Sequence, residues 1–165
     1  AFHGPWLDTT LRHLLTSNRI AQQALQDVPM NACTDITGFG LLGHLYEISQ
    51  QSDVTFSVDC HKVPLLPGTL SLIQQGVAST LSDANRQILV HCQQQAPVDD
   101  ALLTALCDPQ TAGGLLFCLP ADYAGLALQH LDREGIAATD IGKVLVKDRP
   151  DHAAILLNSG HTGSV

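Results

Sequence analysis

Basic side chains are scarce in this chain of 165 residues: eight Lys and Arg stand against sixteen Asp and Glu, a formal net charge of −8. A polyanion partner needs a stripe of Lys and Arg to neutralise its phosphates. No such stripe is present, so nucleic acid is excluded as an expected partner. A phosphorylated small molecule is not excluded, because backbone N–H groups and a metal ion can hold phosphate without basic side chains. Glu is scarcer still, only Glu47 and Glu134 against fourteen Asp. Asp favours caps and turns over helix interiors, so most of the acidic residues should punctuate the chain. The five cysteines, Cys33, Cys60, Cys92, Cys107 and Cys118, contain no CxxC pair, and an odd number argues against a disulfide framework.

Other absences narrow the field further. The histidines show no HxxxH or HxxEH spacing, so no zinc site is expected. GxSxG, the signature of an acyl-transfer serine, is missing. There is no signal-peptide pattern and no apolar run of about 18 residues, so the expectation is a soluble, cytoplasmic protein without a membrane partner. Only 4% of residues are aromatic, yet 45% are hydrophobic, enough to bury a core and to exclude a disordered or collagen-like chain. The chain starts Ala1-Phe2-His3 without an initiator Met, and it is expected to be part of a longer polypeptide.

Apolar spacing orders what is present. Leu11, Leu14, Leu15, Ile20, Ala21, Ala24 and Leu25 recur at helical steps, predicting one helix over Asp8–Gln26, capped by Asp8, Thr9 or Thr10. Residues 32–40 read as a loop that delivers the chain into a helix carrying Leu41, Leu42, Leu45 and Ile48. Val54–Val58 alternates like a strand. Helices are expected over Leu70–Gln75 with Gly76 closing, Ala84–Gln94, Asp99–Leu106, and Ala121–Glu134 with Gly135 closing. Leu115–Leu119 reads as a buried strand, and Ala138–Val146 and Ala153–Leu157 as two more. The expectation is a single α/β (α+β) domain over residues 1–157, a mixed sheet layered with helices. A leading helix occupies 1–28 and a flexible tail 158–165.

Chemistry concentrates in two segments. In Thr34-Asp35-Ile36-Thr37-Gly38-Phe39-Gly40, the glycines allow a sharp turn and close approach of a ligand. The helix behind them offers unpaired N–H groups to a phosphate. Asp35 is placed to hold a hard cation bridging phosphate oxygens, and Thr34 and Thr37 to bond either. The competing reading is an N-cap loop in which Asp35 or Thr37 satisfies the first helical amides. Mg²⁺ takes one or two protein carboxylates, and Asp35 is the only one in its loop, so a second must come from elsewhere. The second segment is Cys107-Asp108-Pro109-Gln110-Thr111-Ala112-Gly113-Gly114-Leu115, read either as a loop packed under a ligand site or as a plain helix-to-strand turn. His44 reads as a core-edge histidine bonded to backbone ahead of a ligand, and Cys33 as a small core residue.

These residues also carry a resemblance. TDITGFGLLGHL at Thr34–Leu45 resembles the C-terminal-domain signature of the selenophosphate synthetase (selenide, water dikinase) family. DPQTAGGL, with Asp108, Gln110, Thr111, Gly113 and Gly114, resembles the second signature of that family, and GVASTLSDAN at Gly76–Asn85 resembles a third segment. The likeness runs from about Leu7 to about Val146. It implies the fold of the C-terminal domain of aminoimidazole ribonucleotide synthetase-like proteins. It also implies a part in making selenophosphate, AMP and phosphate from ATP, selenide and water, with Mg²⁺ and a monovalent cation. In such proteins an N-terminal half carries the reactive Cys or selenocysteine, a Lys and further metal-binding Asp, and pairs into dimers. The C-terminal Asp of the metal cluster aligns with Asp35, and Thr34, Thr37, Gly38 and Gly40 fall in the phosphate-facing loop. Nothing here resembles that N-terminal half, so no cysteine inherits the reactive role and this chain alone is expected to have no turnover. Ala112 stands where Ser is common, removing one hydroxyl. That spelling resembles the branch fused behind a flavin-dependent NADH-dehydrogenase-like domain. The alternatives are another ATP-using member of the superfamily, against which the Asp-containing motif speaks, and a non-catalytic interaction module.

Overall fold

In the computed structural model, which describes residues 4–147 and 152–159, the leading helix resolves into two, α1 (Gly4–Leu15) and α2 (Arg19–Ala24). The break falls at Thr16-Ser17-Asn18, residue types whose side chains compete for backbone hydrogen bonds. Thr16 Oγ1 donates to the Arg12 carbonyl, and Ser17 Oγ accepts from the Arg19 N–H. None of the expected caps operates. Asp8 pairs with Arg12 one turn on, and Thr9 and Thr10 donate back to the carbonyls of Pro5 and Trp6. Of the apolar stripe, Ala21 and Leu25 are buried while Leu11, Leu14, Leu15 and Ile20 are exposed. Trp6 lies directly over Gly68, where a Cβ would stand 2.5 Å from the indole ring.

The remaining elements are β1 (Ala32–Asp35), α3 (Gly40–Ser52), β2 (Val54–Asp59), α4 (Thr69–Gln74), α5 (Ser82–Asn85), β3 (Cys92–Gln94), α6 (Asp100–Cys107), β4 (Leu115–Cys118), α7 (Ala124–Arg133), β5 (Gly142–Val146) and β6 (Ile155–Asn158). Several stand within a residue or two of their expected places, and their ends have visible causes. Asp99 caps α6, its Oδ1 accepting from the N–H groups of Ala101 and Leu102 at 2.9 and 3.2 Å. Gly76 and Gly135 follow α4 and α7 with φ of +81° and +70°, the left-handed geometry of a helix C-terminus.

Three expectations are corrected. Residues 32–35 form a strand, not a loop, because β4 supplies an antiparallel partner, with Asp35 opposite Leu115 and Cys33 opposite Phe117. The helix expected over Ala84–Gln94 is the short α5, a 3-10 turn over Arg86–His91, and then β3. Pairing of Cys92 with Ile155 of β6 overrides the helical pattern there. Asn158, expected in the tail, closes β6 and donates to Ser57 Oγ and the Val58 carbonyl, while residues 160–165 lie outside the described residues.

The larger sheet has strand order β3-β6-β2-β5, with β6 parallel to both neighbours and β5 antiparallel to β2. It is a mixed sheet in a mixed α/β fold, as expected. α3 packs on it and α6 packs on α3, so that Leu41, Leu42, Leu45, Leu102, Leu103 and Leu106 share one core with Phe56, Val58, Ile155 and Leu157. A second, smaller core joins Ala21, Leu25 and Val28 to Ala127 and Leu131 of α7. The two-stranded β1–β4 ribbon lies between them: Leu116 and Cys118 pack with the larger core, Leu115 and Phe117 with the smaller. The continuous apolar run is therefore used on both faces. Among the described residues no helix is long and apolar enough to cross a membrane.

All five cysteines are free thiols, and Cys60, Cys92, Cys107 and Cys118 line the larger core. Burial pushes Cys60 and Cys107 up to about 11 and Cys92 to about 12. A thiol with a raised folded pKa keeps its proton after the unfolded chain has lost it. Its stabilising contribution is complete below the unfolded value of 9.0 and is lost as pH climbs through about 11. Melting temperature should therefore fall between pH 9 and pH 11, and Cys60→Ala should shallow that slope. Equal slopes for the parent and the variant would contradict this account.

Candidate functional site

Asp35 is the last residue of β1, and it is exposed. Among the described residues its carboxylate makes no hydrogen bond or ion pair; its noted electrostatic neighbour is Cys33, two residues back on the same face of the strand. The capping alternative is not what the structure shows. Phe39 stands at the N-cap of α3, and no side chain caps it. The turn closes instead through the backbone, the Gly40 N–H donating to the Thr37 carbonyl at 3.0 Å.

Both threonine hydroxyls have partners within the chain. Thr34 Oγ1 donates to the Asp35 carbonyl at 3.2 Å. Thr37 is held by His44, whose Nε2 lies 3.1 Å from both the Thr37 N–H nitrogen and its Oγ1. Because Nε2 accepts a backbone N–H, the neutral ring carries its proton on Nδ1, which faces Glu47 Oε2 at 3.2 Å. His44 is buried and meets Phe39 edge-on at 5.8 Å. It is a backbone-bonded histidine at the edge of the core, as expected, and what it fixes is Thr37.

The two glycines do different work. Gly40 has φ +67° and is buried; a Cβ there would stand 2.6 Å from the Cys107 carbonyl carbon. Its lack of a side chain serves chain packing. Gly38 is exposed with ordinary φ, and a Cβ there meets nothing within 4 Å. Chain packing does not demand glycine at position 38.

The second motif is both a helix-to-strand turn and a support for the first. The Gln110 N–H donates to the Thr37 carbonyl at 3.1 Å, the Gly113 N–H to the Ile36 carbonyl at 3.1 Å, and the Ile36 N–H to the Gly114 carbonyl at 3.0 Å. At Gly113 a Cβ would come within 2.3 Å of the Ile36 oxygen. Asp108 is half-buried and accepts from Gln110 Nε2 at 2.5 Å. Burial raises its pKa, and the Gln110 bond partly offsets that. Thr111 and Ala112 are exposed. The motifs predicted from the sequence therefore come together through their backbones.

Sequence reasoning missed one contributor. Asn85, at the end of the third family-like segment, donates from Nδ2 to the carbonyls of Gly38 at 2.8 Å and Cys107 at 3.0 Å. The only available signal was the position of Asn85 as the last residue of GVASTLSDAN. Cys33 is exposed rather than in the core. Burial raises the pKa of every one of the five thiols, and the Asp35 charge adds to this at Cys33, so none is an activated thiolate.

For a hard divalent cation the fit is that of a single donor. Asp35 offers an exposed carboxylate oxygen of the right chemistry. Among the described residues no three His, Cys, Asp or Glu side chains gather closely enough to hold a metal ion.

Residues 9–154 match the family described as AIR synthase related protein, C-terminal domain. Similar proteins include the selenide, water dikinase of Caldanaerobacter subterraneus subsp. tengcongensis, 35% identical over 81% of this chain and 39% of that protein. The one from Clostridium botulinum (strain Alaska E43 / Type E3) is 34% identical over 82% of this chain and 40% of the relative. The one from Geobacter metallireducens is 31% identical over 91% and 43%. This chain spans about two fifths of the length of these relatives. With a match covering the ribbon, both motifs and most of both cores, the chain belongs to the AIR synthase related protein family, as a C-terminal domain of that family.

Proposed function

We propose that this chain is the C-terminal domain of an ATP-dependent selenophosphate synthetase, which converts ATP, selenide and water to selenophosphate, AMP and phosphate. The observation that carries the reading is the exposed Asp35 carboxylate, left uncapped at the end of β1 beside a glycine turn. The likeness to selenide, water dikinases over more than four fifths of the chain supports the substrate class.

Asp35 would hold Mg²⁺, with a monovalent cation alongside. When bound, Mg²⁺ neutralises charge on the nucleotide's phosphate oxygens. The part of this chain is positional. β1 fixes where the carboxylate emerges, and three successive peptide groups beside it are held in turn, Ile36–Thr37 by His44, Thr37–Gly38 by Gln110 and Gly38–Phe39 by Asn85. Gly38, bare on an open flank, lets a phosphate approach the backbone. One carboxylate does not make a Mg²⁺–nucleotide site, so the remaining ligands, the reactive Cys or selenocysteine and the Lys are assigned to an N-terminal ATP-binding domain. The exposed leucines of α1 and the exposed β5 offer apolar surface for it. Five thiols free of disulfides suit a reducing compartment, and we place the protein in the cytoplasm.

Selenide-dependent AMP release by the natural full-length polypeptide tests the reading. Asp35→Asn should lower kcat about a hundredfold or more, the scale of losing a charge-stabilising group, with melting temperature unchanged because the carboxylate makes no hydrogen bond or ion pair among the described residues. AMP release without selenide would point to a different ATP-using reaction. A parallel fall in Tm and rate would assign Asp35 to stability. The 165-residue chain alone should show no turnover.

The glycines separate packing from ligand approach. Gly40→Ala should destabilise by at least about 1–2 kcal/mol, from the left-handed strain alone, read as a lower denaturation midpoint. Gly38→Ala should leave the midpoint unchanged and raise the KM for ATP.

A further inference from the structure

We propose that Asn85 is a positioning residue that locks the Thr37–Gly38 turn, and through it the neighbourhood of Asp35, to the C-terminus of α6. Its activity arm rests on the selenophosphate synthetase reading; its structural arm does not.

Asn85 Nδ2 is 2.8 Å from the Gly38 carbonyl and 3.0 Å from the Cys107 carbonyl. Both partners are acceptors only, so the side chain must present its NH₂ to them, and the orientation of the amide is dictated by chemistry. Each amide proton serves a different loop, one in the first motif and one at the start of the second.

The rest of that turn is held elsewhere. The Thr37 N–H is taken by His44, and the Thr37 carbonyl by the N–H groups of Gly40 and Gln110. Gly38 has no side chain and open space beside it, and among the described residues no other side chain bonds its peptide group. The clamp also has a firm base. Arg86, the next residue, pairs with Asp100 at 2.6 Å and also donates to Thr104 Oγ1, both in α6. Asn85 is therefore fixed to the same helix whose last carbonyl it grips. Ligand approach at Gly38 requires a peptide plane that stays put, and Asn85 is the side chain that holds that plane.

The experiment compares Asn85→Ala with Asn85→Asp in the natural full-length polypeptide. The carboxylate of Asp fills the same volume but cannot donate to two carbonyls, so a space-filling role and a clamping role predict opposite orders. Amide hydrogen exchange at Gly40, Gln110 and Gly113 is the first readout. Both variants should exchange there about tenfold faster, as expected for the loss of a typical hydrogen bond. Asn85→Asp should protect these amides no better than Asn85→Ala, and the amides of β2 and β6 should be unchanged in both. Wild-type protection in Asn85→Asp overturns the proposal. Equal acceleration throughout β2 and β6, or failure of both variants to fold, also overturns it, by making Asn85 a general structural residue. In the second readout both variants should raise the Mg²⁺ concentration needed for half-maximal activity. Asp35→Asn runs beside them: if it leaves activity untouched, the functional reading fails, while the exchange data still decide the clamp.

Discussion

The interaction on which this site depends is the docking of two polar loops onto each other. Loops with several glycines carry many backbone groups and little apolar surface, so their N–H and C=O groups need partners. Here they find them mutually. The Thr37 carbonyl receives N–H groups from Gly40 and Gln110, and the Ile36 peptide bonds to Gly113 and Gly114. Each such bond is worth only about 1 kcal/mol net. Together they fix the register of β1 against β4, and so the point at which Asp35 leaves the ribbon. The absence of a Cβ at Gly40 and at Gly113 is what lets the backbones come this close.

The helices with clear apolar periodicity, α4, α6 and α7, were legible because their own residues decide them. What was hidden depends on partners remote in sequence. β1 reads as a polar loop until Leu115–Cys118 pairs with it, and Cys92–Gln94 reads as helix until β6 arrives. The break at Thr16–Asn18 turns on side-chain competition for the backbone, which an apolar stripe does not report. In the site, Asp35 and both motifs could be named from spelling, but the manner of their meeting could not. His44 and Asn85 act through backbone atoms of other segments, and nothing in a linear pattern announces such bonds.

The electrostatics follow the same division. The histidine and the threonines near Asp35 are already engaged, burial raises the pKa of Cys107, and burial together with the Asp35 charge raises that of Cys33. Among the described residues, the Asp35 carboxylate at this turn has no hydrogen-bond or ion-pair partner. A hard cation with octahedral demands needs more oxygens than one aspartate supplies. The chain spans about two fifths of its curated relatives.

The ribbon between the two cores has a thermodynamic consequence. Leu115 and Phe117 belong to one apolar cluster, Leu116 and Cys118 to the other, along a single strand of four residues. Neither cluster can come apart without stripping one side of that strand and so weakening the other. The two clusters are therefore coupled into one cooperative unit, and the domain should lose its structure in a single all-or-none transition rather than by shedding the α2–α7 layer first.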